Sequence, residues 1–335
     1  MRDSVSRRQM SENPKPRILA IRGGAVGDFV LTLPAIRLLR RGFPNATLSV
    51  LGYPSIAQLA VLSGDANEVH SLEHGSMAPL FAPAARIDPA LGRFFSEFQL
   101  VVSWLYDPDG IFRANLSACG VKTVLQGEHR VDSSSDLPAA AQLAKPLEQL
   151  ALFLGEPFLT FPLPPGKPRD PGAPRTIAIH PGSGSPRKNW GYENWALTAA
   201  KLQDRLPGTR FRIVSGEAEE ETIGQFLDLL RKSGIEGFVH ERLSLCDLAA
   251  ALAGCALFLG HDSGVSHLAA ATGIRCGLLF GPTDPRIWAP QNPLVRVLRK
   301  ASGSLAQISP EEVIALAFEL LAAEDFAASS SSPTV

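Results

Sequence analysis

This sequence of 335 residues has no large excess of positive or negative charge. Its 32 basic and 33 acidic residues give a net charge of -1, and neither half of the chain carries a large surplus. Nucleic-acid binding by charge needs clustered lysine and arginine, because these release counterions from the phosphate backbone. The composition therefore argues against a nucleic-acid-binding protein.

Cysteine is scarce and long apolar runs are absent. The closest two of the four cysteines are nine residues apart and no CxxC occurs, which predicts four buried, reduced thiols in a cytosolic protein rather than disulfides or a zinc site. The longest apolar stretch, residues 248–260, is shorter than the roughly 20 residues of a membrane span. The polar N-terminus has no apolar core typical of a secretory signal, and we expect it to fray.

Short apolar runs alternate with segments of helical periodicity. At about 150 residues per domain, the length predicts two domains. In the first half, strand patterns at residues 18–21, 47–51 and 100–105 and a helical pattern at 29–43 predict parallel strands joined by helical crossovers. Pro34 lies inside the helical pattern and predicts a kink or a helix that restarts there.

A stretch rich in proline and glycine divides the chain. It prevents a helix or central strand and predicts an extended linker. Beyond it the pattern predicts five strands separated by four helices, among them a strand at residues 176–179 and a helix at residues 245–253. We expect two Rossmann-like, doubly wound parallel-sheet α/β domains facing a central cleft. The expected segments are a flexible N-terminus (1–16), a first domain (17–161), the linker (162–175), a second domain (176–309), a C-terminal helix (310–325) and a disordered tail (326–335).

The first candidate motif is the loop RGGAVGD, residues 22–28. It follows a strand, where open parallel sheets bind ligands, but it does not match the dinucleotide pattern GxGxxG. Asp28 at a helix start is typical of an N-cap. Alternatively, it faces the cleft and removes a proton from an attacking hydroxyl. The loop's glycines are Gly23, Gly24 and Gly27.

The second motif is HPGSGSPRKNW, residues 180–190. A Walker motif fails, because Arg187 stands in place of its second glycine and Asn189 in place of its Ser or Thr. Backbone amides of the Gly and Ser turns, with Arg187 and Lys188, suit an anion such as a diphosphate. A basic surface loop is the plainer alternative.

The third motif is GHDSGVSH, residues 260–267, which joins a strand to a helix. Free amides at the helix start favour a phosphate, although a simple capping turn is the alternative. A Ser-His-Asp hydrolase is excluded, because no GxSxG elbow precedes a helix here. Asp107 and Asp109 form a DPD sequence like a metal-binding DxD, but its proline and the glycine that follows favour a turn.

Together the three motifs resemble glycosyltransferase family 9, the ADP-heptose:lipopolysaccharide heptosyltransferases. The elements are ILAIRGGAVGDFVLTLPAIRLLRRGFPNA, IAIHPGSGSPRKNWGYENW and LGHDSGVSHLAAATGIRCGLLFGPTDPRIWAP, in the family's order and spacing. The resemblance implies a GT-B fold, with the acceptor held mainly by the first domain and the nucleotide sugar by the second. It implies an inverting, metal-independent transferase that moves heptose from ADP-heptose, as substrate and not as cofactor, to a lipopolysaccharide core or related glycan.

The resemblance also implies roles for single residues. Asp28 matches the family's catalytic base, Lys188 the lysine that contacts the donor diphosphate, and Glu217 the acidic residue that holds the nucleotide ribose. One base opposite a cationic, amide-rich pocket is enough for inverting transfer. The final helix is expected to return to the first domain. The other residues implied in donor binding are Ser183, Asp262, Ser263, Gly264, His267, Gly281, Pro282 and Thr283.

The acceptor side departs from the family. An acidic residue is common in the strand at residues 100–105, where this sequence has Ser103, with Gln99 before it and Asp107 after it. Two alternatives stay open: a GT-B transferase that uses another nucleotide sugar for a different cell-surface glycan, and a non-catalytic nucleotide- or glycan-binding protein. Asp28 and Lys188 together argue against the second. A glycolipid acceptor implies a cytoplasmic protein with at most peripheral association at the inner face of the cytoplasmic membrane.

Overall fold

Two parallel sheets organise the chain in a computed structural model that describes residues 15–163, 174–235 and 238–330. The strands of the first sheet are β1 (Arg17–Arg22), β2 (Thr47–Gly52), β3 (Glu68–Ser71), β4 (Leu100–Ser103) and β5 (Thr123–Gln126). Their order across the sheet is β3-β2-β1-β4-β5, and all neighbours are parallel. The helices between them are α1 (Val26–Gly42), α2 (Pro54–Leu62), α3 (Pro89–Ser96), α4 (Ile111–Ala118) and, after β5, α5 (Ala139–Ala144).

Strand β1 shows why the strands of this sheet have continuous apolar sequences. Ile18 and Ala20 pack into one apolar cluster, whereas Leu19 and Ile21 pack into another. Successive side chains of a strand point to opposite faces. Both faces of the sheet are therefore covered, as parallel sheets require.

Helix α1 runs through Pro34 as one helix, so of the two alternatives at this residue the restart is wrong, and the kink stays a prediction. It begins at Val26, three residues before the predicted pattern. A proline inside a helix removes one hydrogen bond and costs ~3 kcal/mol. Pro34 is buried together with Leu33 and Ile36, and this packing offsets the cost.

The second sheet has six parallel strands, one more than the sequence pattern predicted. They are β6 (Thr176–Ile179), β7 (Arg210–Ile213), β8 (Phe238–His240), β9 (Leu257–His261), β10 (Arg275–Phe280) and β11 (Val295–Arg299), in the order β11-β10-β9-β6-β7-β8. The additional strand β11 lies at an edge, and its two arginines interrupt the apolar pattern. The helices are α6 (Tyr192–Arg205), α7 (Ile223–Lys232), α8 (Leu245–Ala253), α9 (Gly264–Ala271), α10 (Pro285–Trp288) and α11 (Pro310–Ser330).

Helix α11 packs on the second sheet. Its residues Val313, Ile314 and Ala317 join the apolar cluster of β6 and β7, and the helix contacts α6 and β10. The expected return of this helix to the first domain is therefore wrong for residues 310–322, the part of α11 whose side chains the structure describes. Its apolar face fits the surface of its own domain. No helix of the described part is long and apolar enough to cross a membrane.

The two domains share packing across their boundary. Helix α1 packs on α9 and α2 on α8, and one apolar cluster contains residues of both domains. Of the predicted linker, residues 164–173 lie outside the described part. Just before it, Phe161 N donates to Ala271 O at 2.7 Å, which ties this segment to α9.

The four cysteines are free thiols within the described residues, but only two of them are buried. Cys255 and Cys276 are buried, whereas Cys119 and Cys246 are partly exposed. The prediction of four buried thiols is therefore wrong for two. Burial raises the pKa of Cys255 to about 11, so this thiol is inert near neutral pH.

Candidate active site between the two domains

The order of the strands points to one edge of each sheet. In the first sheet the order reverses between β1 and β4, and in the second between β6 and β9. Open α/β sheets bind ligands outside the carboxyl ends of the strands at this reversal. The three motif loops follow β1, β6 and β9, so all of them lie at such reversals.

The first turns of α1 and α9 meet between the domains. A Cβ atom on Gly264 would lie 2.7 Å from Gly27 N, and one on Gly27 would lie 3.3 Å from Gly264 Cα. Only glycine at position 264 permits this approach. Each helix start carries free amides and a positive partial charge. The contact therefore brings two anion-favouring helix ends together.

Asp28 is the third residue of α1 and not its N-cap, which is Ala25. Its Oδ2 accepts a hydrogen bond from Ala25 N at 3.3 Å, and its Oδ1 lies 3.6 Å from Arg22 Nη2. The side chain is 42% exposed. Asp28 thus helps the helix to begin and is still open to solvent. Gly24, at φ +101°, lies beside this carboxylate.

Arg22 is a buried cation that the sequence reasoning missed. Its Nη1 donates to Trp104 O at 3.2 Å and to His129 O at 3.1 Å, which joins the end of β1 to the loops after β4 and β5. Burial lowers the pKa of Arg22, and Asp28 opposes this shift. Arginine stays charged even so. The one signal in the sequence is an arginine at the end of an apolar run.

Lys188, Asp262 and Thr283 come together from three loops of the second domain. Lys188 Nζ donates to Asp262 Oδ2 at 2.6 Å, and Thr283 Oγ1 donates to the same oxygen at 2.7 Å. Asp262 is buried, whereas Lys188 is partly exposed. The buried carboxylate therefore fixes the position of a cation that still reaches solvent.

A second group of polar side chains, in contact one after another, lies next to the start of α9. Ser263 caps this helix, and its Oγ lies 3.2 Å from His180 Nδ1. His180 Nε2 lies 3.6 Å from Glu219 Oε2, and both side chains are buried. The contact with His180, followed by an amide hydrogen bond from Gly216, lowers the pKa of Glu219 to about 2 against the cost of burial.

Glu219 is another residue that the sequence reasoning missed, two residues after Glu217, for which a contact with the nucleotide ribose stays a prediction. Glu217 is exposed at the start of the short 3₁₀ helix Glu217–Glu219. A Cβ atom on Gly182 would lie 2.0 Å from Glu219 Oε1. Gly182 of the HPGSG loop therefore leaves room for the Glu219 side chain. No pattern in the sequence around Glu219 could indicate this contact.

Two buried histidines complete the site. Trp190 N donates to His261 Nε2 at 2.9 Å, and His261 Nδ1 lies 3.2 Å from Gly182 O, so this ring cross-links the loop after β6. Burial lowers the pKa of His261 to about 3. Burial also lowers the pKa of His267 to about 4, although Asp262 and Asp28 oppose this shift. Both rings are neutral at pH 7.

The remaining predicted residues have other contacts. Ser183 Oγ lies 2.6 Å from Asn189 Oδ1, within its own loop. Gly281 and Pro282 pack against Gly303, and only Thr283 of their loop reaches Asp262. Gly23 packs against Leu105 and Leu72.

Asp107 is occupied as a capping residue. Its two carboxylate oxygens accept hydrogen bonds from Phe112 N at 2.9 Å and Arg113 N at 3.0 Å, at the start of α4. These bonds agree with the turn interpretation of the DPD sequence. In the described ranges, no group of three His, Cys, Asp or Glu side chains could hold a metal ion.

Comparison with known families shows which family the chain belongs to. The sequence profile of glycosyltransferase family 9 (heptosyltransferase) matches residues 136–314, more than half of the chain. The chain belongs to glycosyltransferase family 9. The matched segment includes the loops of Lys188 and Asp262 but not Asp28.

Curated relatives align over parts of their length. Lipopolysaccharide heptosyltransferase 1 of Pseudomonas aeruginosa is 36% identical over 117 residues, which is 35% of this chain and 31% of that protein. The protein of the same name from Escherichia coli K12 is 26% identical over 196 residues, 57% of this chain and 56% of that protein. The chain thus spans between about a third and about half of the length of these relatives.

Solved structures agree over nearly the whole chain. A family 9 glycosyltransferase from Veillonella parvula has a TM-score of 0.73 at 19% identity, covering 92% of this chain and 97% of that one. The ADP-heptose lipopolysaccharide heptosyltransferase II of E. coli has a TM-score of 0.72 at 19% identity, covering 92% and 99%. The fold is therefore GT-B.

Proposed function

We propose that this family 9 glycosyltransferase transfers heptose from ADP-heptose to the core of a lipopolysaccharide with inversion and without a metal ion. The observation that carries the proposal is the opposition of Asp28, on the first domain, to Lys188 and the start of α9, on the second. The heptose donor and the lipopolysaccharide acceptor come from the names of the relatives. A glycolipid acceptor would bring the protein to the inner face of the cytoplasmic membrane.

In this mechanism, Asp28 takes the proton of an acceptor hydroxyl as the oxygen attacks the anomeric carbon. The bond from that carbon to the diphosphate breaks, and ADP leaves with the bonding electrons. Attack from the side opposite the diphosphate inverts the anomeric centre. Solvent exposure of Asp28 leaves it accessible to an acceptor.

The departing diphosphate gains charge as the bond breaks. Lys188, held by Asp262, and the free amides at the start of α9 can stabilise that charge without a metal. The neutral ring of His267 adds no cation to this pocket. Lys188 and the helix end therefore supply positive charge on the donor side.

The test is transfer with purified protein, ADP-heptose and lipopolysaccharide that lacks heptose. We expect a mass increase of one heptose per acceptor, an inverted anomeric configuration in the product, and unchanged transfer in excess EDTA. Transfer from GDP- or UDP-sugars alone would contradict the donor. Loss of activity in EDTA that magnesium or manganese restores would contradict the metal-free mechanism. Nucleotide binding without transfer to any glycan would indicate a non-catalytic protein.

A further inference from the structure

Tyr106 is a large aromatic side chain in an unusual position. It is 65% exposed and lies three residues after the end of β4. Its ring is 4.5 Å from the ring of His129, measured between centroids, at an interplanar angle of 56°. His129 lies three residues after the end of β5. The two rings form an aromatic pair at the carboxyl edge of the first sheet.

Arg22 connects this pair to Asp28. One guanidinium nitrogen donates to His129 O at 3.1 Å, and another lies 3.6 Å from Asp28 Oδ1. Strands β1 and β4 flank the reversal of strand order in the first sheet, where ligands bind. Arg22 therefore links the backbone of His129, which carries one ring of the pair, to the proposed base.

The segments that carry the pair are anchored on both sides. Gln126 Nε2 donates to Leu105 O at 2.7 Å, and Gly127 N donates to Ser103 O at 2.8 Å, which joins the two loops. Asp107, next to Tyr106, caps α4 through both oxygens. An exposed ring on an anchored backbone loses little conformational freedom when a ligand binds.

We propose that Tyr106 and His129 form an acceptor subsite that stacks against the apolar face of a sugar ring of the acceptor. This inference rests on the proposed function. A pyranose ring has a face of C–H groups that packs on an aromatic ring, while its hydroxyls stay hydrated at the edge. The subsite belongs to the acceptor, because the pair lies on the domain of Asp28 and Lys188 lies on the other.

The experiment compares Tyr106→Ala, Tyr106→Phe and His129→Ala with the wild type. Tyr106→Ala should raise KM for heptose-free lipopolysaccharide about tenfold, and Tyr106→Phe should stay near the wild type, because the ring is kept. His129→Ala keeps the backbone carbonyl that binds Arg22, so its KM should rise by a smaller factor. The dissociation constant of ADP should not change in any variant.

Phe153→Ala is the matched control. Phe153 is 66% exposed and lines a pocket of about 370 Å³ with Arg37 and Arg41. Arg41 lies 13 residues after Asp28 in α1, about 20 Å along the helix. Loss of this equally exposed ring should leave the acceptor KM unchanged. An equal rise in KM for Phe153→Ala would overturn the subsite.

Calorimetric titration with the lipid-free, heptose-free core oligosaccharide separates this inference from the proposed function. Binding by the wild type that is lost in Tyr106→Ala supports the subsite even where no transfer occurs, and absent transfer then contradicts only the proposed function. Equal binding and equal KM in wild type and Tyr106→Ala would overturn the subsite. Weaker ADP binding in Tyr106→Ala would also overturn it, because the ring would then hold the nucleotide. A wild type that binds no oligosaccharide would overturn the subsite, whereas the transfer assay alone decides the proposed function.

Discussion

The two oxygens of the Asp28 carboxylate have different partners. Oδ2 accepts from Ala25 N at 3.3 Å, and Oδ1 faces Arg22 at 3.6 Å. The first contact is what a residue at a helix start provides, and the second is an ion pair with a buried cation. The same side chain therefore serves the fold and, in our proposal, the reaction, and a substitution can separate the two.

Asp28→Asn should reduce transfer at least about 100-fold, whereas the protein should stay folded and lose only about 1 kcal/mol of stability with the ion pair to Arg22. The amide oxygen can still accept from Ala25 N, but an amide is a far weaker base than a carboxylate. The measurements are initial rates, chemical denaturation and ADP binding. Asp88→Asn, at the N-cap of α3, is the matched control and should keep its transfer rate. Near-normal turnover of Asp28→Asn would leave Asp28 as a helix-start residue only.

Lys188→Ala should weaken ADP binding by about 1.5 to 3 kcal/mol, the usual value of a charge-assisted hydrogen bond to phosphate. The control is Lys201→Ala, which removes a lysine that pairs with Glu311 on the surface of α6. Calorimetry on both folded variants gives the comparison. Equal ADP affinity in Lys188→Ala and wild type would remove Lys188 from the donor site.

At the scale of the elements, the loop after β6 is held by a ring that cannot be charged without a cost in free energy. His261 links Trp190 N and Gly182 O, and burial lowers its pKa to about 3. An unfolded histidine titrates near 6.5. Between these values the unfolded state binds the proton, so the folded state loses stability as the pH falls below about 6.5.

His261→Gln should therefore reduce the acid sensitivity of the fold. Each buried histidine contributes a slope of up to about 1.4 kcal/mol per pH unit below pH 6.5. The measurement is the free energy of unfolding in denaturant at pH 7.5 and pH 5. The wild type should lose more stability than His261→Gln over this interval, and His74→Gln, at an exposed histidine, should lose as much as the wild type. Identical losses in wild type and His261→Gln would show that the His261 ring does not cause the acid sensitivity.

The close contact between α1 and α9 requires that residue 264 has no methyl group at Cβ. On Gly264 that methyl would lie 2.7 Å from Gly27 N, whereas on Gly224 of α7 it would meet nothing within 4 Å. Gly264→Ala should destabilise the protein by about 1 to 3 kcal/mol, the range for overpacking. Gly224→Ala should stabilise it by about 0.5 to 1 kcal/mol. Denaturant unfolding of both variants tests the prediction, and a neutral Gly264→Ala would show that the helices can move apart at no cost.

At the scale of the molecule, the sequence was most informative where the pattern is local. Strand β6 and helix α8 have the predicted bounds, because apolar periodicity and flanking turn residues agree there. The sequence pattern missed β11, because an edge strand needs no continuous apolar run.

In the site, too, residues in local motifs were predicted and residues held by distant contacts were missed. The motifs named Lys188, Asp262 and Thr283 one by one, and the structure brings these three side chains together. Arg22 was missed because its role depends on partners 82 and 107 residues away. Glu219 was missed because its burial follows from a glycine in another loop. Long-range burial leaves no periodic signal in a single sequence.

The shared packing of the two domains predicts how the whole chain unfolds. One apolar cluster contains Val30 and Leu33 of α1 together with Leu268 and Ala269 of α9. Exposing this cluster by unfolding one domain alone would cost the other its packing, at roughly 25 cal/mol per Å² of apolar surface. We therefore expect one cooperative transition and not two.

Tryptophan positions allow a direct measurement. Trp104 is buried in the first domain, and Trp190 and Trp195 are buried in the second. Trp104→Phe keeps the three tryptophans of the second domain, and a variant with Trp190, Trp195 and Trp288 all changed to Phe keeps only Trp104 of the first. Each variant, melted by fluorescence, should share one midpoint with the far-ultraviolet circular dichroism of the same sample. ADP at 100 times its dissociation constant should raise the free energy of unfolding by about 2.7 kcal/mol and move all signals together. Two midpoints, with only the second-domain signal responding to ADP, would mean that the shared cluster does not couple the domains.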